Sequence, residues 1–358
     1  MKIDANILTA ITRKILLSIF FVFLGSLFIF QVFFWQYTGV VWMTMVIVFL
    51  AVPVLDFIVG KNREIGLSIF GRIAAWIPRL YVTLYFGVVA LVFSSMNTGS
   101  FSEMICTALA LGTIGGAVGI NLAHELMHRK GQTDRLLSWV VMCSMLYGHF
   151  TVEHIRGHHV RVATSNDPAT AKRGQTLYSF FLQSIVGSFK HAWKLEGMKF
   201  ERHRSIFKNK IFLSLTGSSF FLSIVWVVFG LEVLMVYIGS SVWAILLLEA
   251  TNYIEHYGLL RKKDKNGSYE SVGEEHSWNA DFSLSNWILL NLPWHSDHHK
   301  CMNKHFNHLQ SCPSAPQLPF GYPMMIILSF CPFIFIPLME KRLSTYGFEN
   351  TSNLKNTY

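Results

Sequence analysis

Long apolar runs dominate the chain and set its architecture. A membrane-spanning helix needs about 20 consecutive, mainly apolar residues. Six stretches meet that length, at 15–36, 40–60, 76–96, 104–124, 211–230 and 233–254. The first, KILLSIFFVFLGSLFIFQVFF, is longer than a signal-peptide core and lacks a small-x-small cleavage pattern, so it reads as a retained helix. The six pair into three hairpins through QYTG, NTGSFS and GLE, connections without lysine or arginine. The longer segments between hairpins are basic. One carries Lys61, Arg63, Arg72 and Arg79, and the other runs from Arg129 to Lys210. Basic loops stay on the cytoplasmic side. The pattern therefore predicts both termini in the cytoplasm, with 125–210 and 255–358 as cytoplasmic segments.

Three further stretches are apolar without fitting a span. LLSWVVMCSMLYGHF (136–150) is too short, and is expected to lie against the membrane or buried under a site. TLYSFFLQSIVGSFKHAWKLEGMKFERHR (176–204) has the pattern of an amphipathic cytoplasmic helix. YPMMIILSFCPFIFIPLM is interrupted by Pro323, Pro332 and Pro337, which favours a re-entrant or interfacial lid over a seventh span. The last dozen or so residues are polar and expected to fray. With no internal repeat or low-complexity linker, 1–358 reads as one membrane-embedded domain. The expected fold class is an all-α integral membrane protein: six transmembrane helices with a cytoplasmic histidine-rich helical cap.

Composition agrees. Apolar residues make up 52% and charged residues 14%, the profile of a polytopic membrane protein rather than a soluble globule. Basic loops account for the net charge of +9, so nucleic acid is not an expected partner. The five cysteines form no C-x-x-C pair, which argues against a fused zinc ribbon, rubredoxin or disulfide framework.

Histidine placement changes the picture. There are fifteen, none in the middle of a predicted span, and nine fall in four boxes on the predicted cytoplasmic side. His124 and His128 sit at i and i+4 where the fourth span emerges, on one helix face. EHIRGHH holds His154, His158 and His159. The first two are expected to share a face and the third to be turned by about 100°, so that this box reaches two metals. His256 stands in NYIEHYG at the end of the sixth span. His295, His298 and His299 in HSDHH, at i, i+3 and i+4, are expected on one face. Nine imidazoles exceed one metal and suit two ions with four or five ligands each. Imidazole favours iron, zinc, copper or nickel over magnesium or calcium.

HELMH also matches the His-Glu-x-x-His of zinc proteases. Such an enzyme needs two histidines, one further ligand and the glutamate, and has no use for seven more clustered imidazoles. Glu125 is therefore expected to support a ligand by accepting an imidazole N–H and fixing its tautomer. The same role is expected of Glu153, Glu255 and Asp297, each in or beside a box. His276 in EEHSWN, between two boxes, is the best further candidate for that supporting layer, with Trp278 and Asn279 beside it. His191, His203, His305 and His308 read as surface or lid residues, and His149 is left over. The fourth span carries Gly112, Gly115, Gly116 and Gly119 just before His124. Small residues let helices pack closely. The sharper reading is a channel along this face that brings a substrate chain to the metals.

HELMH, EHIRGHH, NYIEHYGLL and HSDHH, in this order and spacing, resemble the membrane-bound diiron hydroxylases and desaturases. They resemble most closely the alkane 1-monooxygenases and the related xylene monooxygenases. YGHF before the second box, VATSNDPAT after it, HSWN and LPFGYP agree as well, so the resemblance runs from about Val54 to Pro323. Leu292-Pro293-Trp294 stands where the alkane branch usually has Leu-Gln-Arg, and KCMNKHFNHLQSCPS also departs from the usual sequence. HELMHR and RGQTLYSF read more like the xylene branch.

The resemblance implies six membrane helices and two iron ions. Their ligands would be His124, His128, His154, His158, His159, His256, His295, His298 and His299. It implies a reaction that uses dioxygen as co-substrate to hydroxylate an unactivated terminal or methyl C–H bond. It also implies electrons from a rubredoxin or ferredoxin-type donor with its reductase, in a bacterial inner membrane with the active site cytoplasmic. The substrate, drawn from the bilayer, stays open among an n-alkane, an alkyl-aromatic methyl group and a fatty acyl chain. An acyl-lipid desaturase or hydroxylase with the same metal site is the nearest alternative. A metal transporter is more remote, because transport sites lie near the bilayer midplane.

Overall fold

The computed structural model describes residues 42–61, 71–96, 100–203 and 205–348, which are helical, with only isolated β-bridges among them. The expected span at 15–36 lies outside the described residues. Helix α1 (Met43–Val59) is apolar but shorter than a full crossing. Among the described residues, four helices are long and apolar enough to cross a membrane. They are α2 (Gly71–Ser95, apolar from Trp76), α3 (Phe101–Met127), and later α7 (Lys210–Phe229) and α8 (Leu231–His256). The chain is an integral membrane protein. Exposed Phe220, Trp226 and Val227 on α7 fit a lipid-facing surface.

Local sequence explains the boundaries. Ser100 accepts from the N–H of Glu103 while the Glu103 carboxylate accepts from that of Ser100, a capping box that starts α3. Asn209 Oδ1 accepts from the N–H groups of Ile211 and Phe212 at the start of α7. Gly230 ends α7 and begins α8 with φ +88°, a conformation L side chains rarely adopt, so one glycine closes this hairpin.

The core is the α3–α8 pair. A Cβ at Gly112 would fall 2.5 Å from the Ser240 carbonyl oxygen, and one at Gly116 would fall 3.1 Å from Leu247 Cβ. Small residues here let the two backbones approach, the packing rule of membrane helices. Several polar groups inside the bundle are paired. Trp243 donates to Thr113 Oγ1 at 3.0 Å. Buried Glu249 on α8 accepts from Tyr147 and Asn252, and from Ser184 on α6 (Leu177–His203).

Helix α4 (Gln132–Ser144) buries Val141, Met142 and Cys143, so the short apolar stretch lies inside the protein, packed against the end of α3. The last apolar stretch is broken into α11 (Tyr322–Ser329) and α12 (Pro332–Thr345), as its prolines require. Met325, Phe335, Met339 and Leu343 bury against Tyr253 and Tyr257 of the α8 end.

Asp56 of α1 fastens that helix to the rest. Its Oδ1 accepts from the N–H groups of Leu284 and Ser285, both at 3.0 Å, at the start of α9 (Ser283–Ile288), and its Oδ2 accepts from the Ser285 hydroxyl. Gly321 leaves room for this carboxylate, since a Cβ there would lie 2.3 Å from Asp56 Oδ2. The carboxylate thus caps a helix more than 200 residues away in sequence. Asp56→Ala should lower stability by about 1–2 kcal/mol, as loss of a helix cap does, and Asp56→Asn by less because it keeps an acceptor. The check is thermal unfolding of detergent-solubilised protein; a melting temperature unchanged in the alanine variant would refute the staple.

Candidate metal centre

Four backbone segments bring the nine box histidines together. His124 and His128 stand one turn apart at the C-terminal end of α3, which continues through the first box. His154, His158 and His159 lie on the segment 150–161, here α5. His256 is the last residue of α8, and His295, His298 and His299 lie on α10 (His295–Lys300). All nine are buried.

They form two groups, each with its ligand atoms within 4.8 Å of one another. The first is His124, His128, His154, His159 and His298; the second is His158, His256, His295 and His299. In the first, Nε2 of His154 is 2.8 Å from that of His124, and 3.1 Å from those of His128 and His159. His298 Nε2 is 3.1 Å from His159 Nε2. In the second, His295 Nε2 is 3.2 Å from His256 Nε2 and 2.9 Å from His299 Nε2. At a metal–nitrogen distance of about 2.1 Å, adjacent ligands sit about 3.0–3.4 Å apart. The observed spacings of 2.8–3.2 Å are close to such edges.

The grouping corrects two expectations about shared faces. His154 groups with His159, not with His158. The reason is a π-helical turn over His154–His158, whose i→i+5 bonding admits one extra residue and brings His159 back beside His154. His295, His298 and His299 also divide. His298 joins the first group while His295 and His299, at i and i+4, stay together.

The residues fit metal ions on their own chemistry. Burial first, and neighbouring imidazoles second, push His154, His159, His295, His298 and His299 well below the ordinary imidazole value. The rings are therefore neutral at physiological pH, with lone pairs available. His158 Nδ1 is 2.9 Å from Asp167 Oδ2, while its buried Nε2 has no hydrogen-bond partner. A ring held at one nitrogen by a carboxylate and left open at the other is the usual arrangement of a ligating histidine.

Asp167 was not singled out in the sequence, although VATSNDPAT contains it. Its other contacts, with Thr170 Oγ1 at 2.6 Å and Ala169 N, hold the carboxylate in place. The carboxylates that were singled out are placed differently. Glu125 binds Arg129 one turn on, at 2.9–3.0 Å, and accepts from the N–H of Phe306. Asp297 takes Lys304 Nζ at 2.5 Å and the N–H of Gln310. Both brace the 301–310 loop rather than an imidazole. Glu153 lies 2.7 Å from His191 Nδ1. Burial, then Asp167, push Glu153 up to about 9, and burial, then Arg161, lower His191. Its carboxylate lies against Gly157, where a Cβ would fall 2.2 Å from Oε1, which is why the second box has glycine there. Glu255 Oε2 lies 3.2 Å from His295 Nε2.

His276 turns its ring away from both groups, accepting from the N–H of Gly273 and meeting Glu270 at 3.2 Å. Its neighbours support the last box. Asn279 Oδ1 accepts from the N–H of Ser296 at 2.8 Å, and Trp278 Nε1 donates to the Tyr257 carbonyl. Trp294, at the position that departs from the alkane branch, is buried and donates to Asp281. His149 packs on Tyr147 and Phe189 outside both groups. His305 and His308 are partly or fully exposed.

A cavity of about 370 Å³ opens onto the centre, reaching His124, His154, His295 and Glu255. Its walls are mainly apolar, with Val48 and Val52 of α1, Ile120 of α3, Leu247 of α8 and Ile288 of α9 among them. Of the four expected channel glycines, Gly116 borders it. Gly112, Gly115 and Gly119 instead meet Ser240, Trp243, Ala244, Met145 and Tyr85 in the packed interior. Two more π-helical turns, Ile47–Ala51 and Gly115–Ile120, line the same cavity.

Residues 102–328 match the fatty acid desaturase family. The chain is 33% identical to alkane 1-monooxygenase 2 of Pseudomonas aeruginosa, over 85% of this chain and 84% of that protein. It is 33% identical to alkane 1-monooxygenase of Acinetobacter baylyi over 83% and 76%. To the hydroxylase component of the xylene/toluene monooxygenase of Pseudomonas putida it is 28% identical, over 82% and 80%. The alkane relatives are thus the more similar over the whole chain, although HELMHR and RGQTLYSF resemble the xylene branch.

Asp167→Ala should weaken metal retention by about 10–100-fold, the usual cost of removing a carboxylate behind a ligating histidine. Metal content after equilibration with graded chelator reads this out, and retention equal to the wild type would refute the supporting role.

Proposed function

The chain belongs to the fatty acid desaturase family, among its alkane 1-monooxygenases, and from that premise we propose that it is a membrane-bound non-haem diiron monooxygenase. Its reaction is RH + O₂ + 2 electrons + 2 protons → ROH + H₂O at a terminal or methyl C–H bond of an apolar substrate. The carrying observation is the pair of buried imidazole groups at the end of an apolar cavity. His124, His128, His154, His159 and His298 would hold one iron, and His158, His256, His295 and His299 the other. When bound, the iron pair supplies activation of dioxygen and oxidation of the C–H bond.

The protein's own groups select and position. An n-alkane or alkyl-aromatic already dissolved in the bilayer loses no hydration on entering walls such as Val52, Leu247 and Ile288. The same walls keep bulk water from the centre, so electrons are spent on substrate. Asp167 orients His158, the Asn279 contact fixes the start of α10, and Glu125–Arg129 holds the loop beneath it.

The reading includes one membrane domain with six spans, the described four among them, and a cytoplasmic cap carrying the centre in a bacterial inner membrane. The lysine- and arginine-rich segments between hairpins support that orientation. It also includes an external rubredoxin or ferredoxin-type donor with its reductase. A separate cleft of about 490 Å³ reaches His128 past Arg135, Arg156 and Lys210, a surface suited to an acidic partner.

Membranes supplied with a reducing system, labelled dioxygen and octane, toluene or a fatty acid should yield an alcohol carrying one labelled oxygen. An alkene with all label in water would establish desaturation instead. Within the cavity, Gly116→Leu should shift turnover toward shorter chains. Its side chain must displace Leu247 or fill the cavity. Overpacking of about 1.4 kcal/mol corresponds to roughly a tenfold loss with long substrates. An unaltered chain-length profile would exclude Gly116 from the substrate path.

A further inference from the structure

We propose that Glu255 is itself a metal ligand, its carboxylate supplying an oxygen donor to the group of His158, His256, His295 and His299. The inference rests on the two-metal reading above and extends its all-imidazole ligand set.

Glu255 Oε2 lies 3.2 Å from His295 Nε2. That nitrogen is the one turned into the group, next to Nε2 of both His256 and His299. An imidazole nitrogen that gives its lone pair to a metal carries no proton and has nothing to donate to a carboxylate. Two electron-rich atoms at this separation repel unless a proton or a metal cation lies between them. The spacing is again a polyhedron edge of about 3.0–3.4 Å. The two groups hold five and four imidazoles. With Glu255 the second also reaches five donors.

The surroundings of Glu255 set it apart from the other box carboxylates. Glu125 has Arg129 and Asp297 has Lys304 as countercharge, and Glu153 has a hydrogen-bond partner in His191. Among the described residues no lysine or arginine pairs with Glu255. Its side chain is 2% exposed, and its Oε1 is buried without a well-formed hydrogen bond, although the Tyr322 hydroxyl is nearby. Ionising a carboxyl so placed is costly unless a countercharge is present. A metal cation bound at the adjoining imidazoles would be that countercharge. Glu255 and His256 are consecutive on α8, so one helix end delivers an oxygen from the cavity wall and a nitrogen from the group. The two metal positions then differ in charge, and the anionic donor borders the cavity.

The test uses purified full-length protein in lipid nanodiscs, loaded anaerobically with ferrous iron. Wild type, Glu255→Gln, Glu255→Ala and His158→Ala are compared by iron per chain, chelator competition and Mössbauer spectrum. The wild type should hold two irons. Both Glu255 variants should bind one of them at least about 10-fold more weakly, altering the same spectral component as His158→Ala. The component of the other group should persist, which also shows that the variants are folded. If the wild type holds two irons and both Glu255 variants match its affinities and spectrum, the ligand assignment fails while the two-metal reading stands. If both irons are lost from both variants, the assignment to one group also fails. A wild type holding one iron or fewer overturns the two-metal reading and this inference with it.

Discussion

Nine buried imidazoles packed with their nitrogens about 3 Å apart are poor neighbours until protons or metal cations lie between them. Much of the molecule serves that constraint. The ligands arrive from the ends of α3 and α8, from α5 and from α10, and no two of these segments are consecutive in sequence. Each must therefore be held by contacts other than the metals. Asp167 fixes the His158 ring, Asn279 fixes the start of α10, and the close α3–α8 approach at Gly112 and Gly116 sets two helix ends side by side.

The backbone contributes as much as the side chains. A regular α-helix through EHIRGHH would keep His154 and His158 on one face and turn His159 toward the other group. The π-helical turn instead sends His154 and His159 one way and His158 the other. One short segment thus serves both groups and ties their positions together. Gly157 is part of the same device, because the Glu153 carboxylate occupies the space a side chain would need.

The bilayer location and the chemistry are linked by the cavity. Its apolar walls come from the spans α3 and α8 together with α1 and α9, while His124, His154, His295 and Glu255 border it on the side of the centre. The proposed hydroxylation would draw its hydrocarbon from lipid into this cavity without a passage through water. Asp56, which draws α1 onto α9, maintains one of those walls at a distance from any metal ligand.

Length and polarity alone determined the four described helices that are long and apolar enough to cross, because a crossing needs an unbroken apolar run and the bilayer imposes its thickness locally. The histidine boxes were equally legible, since i and i+4 spacing brings side chains together within one helix, as in His124 with His128. Which box shares an ion with which was not legible. That depends on a π-helical turn and on the approach of α10, which no local pattern encodes. Nor could spacing distinguish Glu125, paired to Arg129, from Glu255, left facing the centre, since both simply precede or follow a histidine. Asp167 and Asp56 act on partners 9 and more than 200 residues away, and only the folded chain decides such distances. Local periodicity writes helices and their faces into the sequence; the destination of each carboxylate is decided by whichever charge or lone pair the tertiary packing places against it.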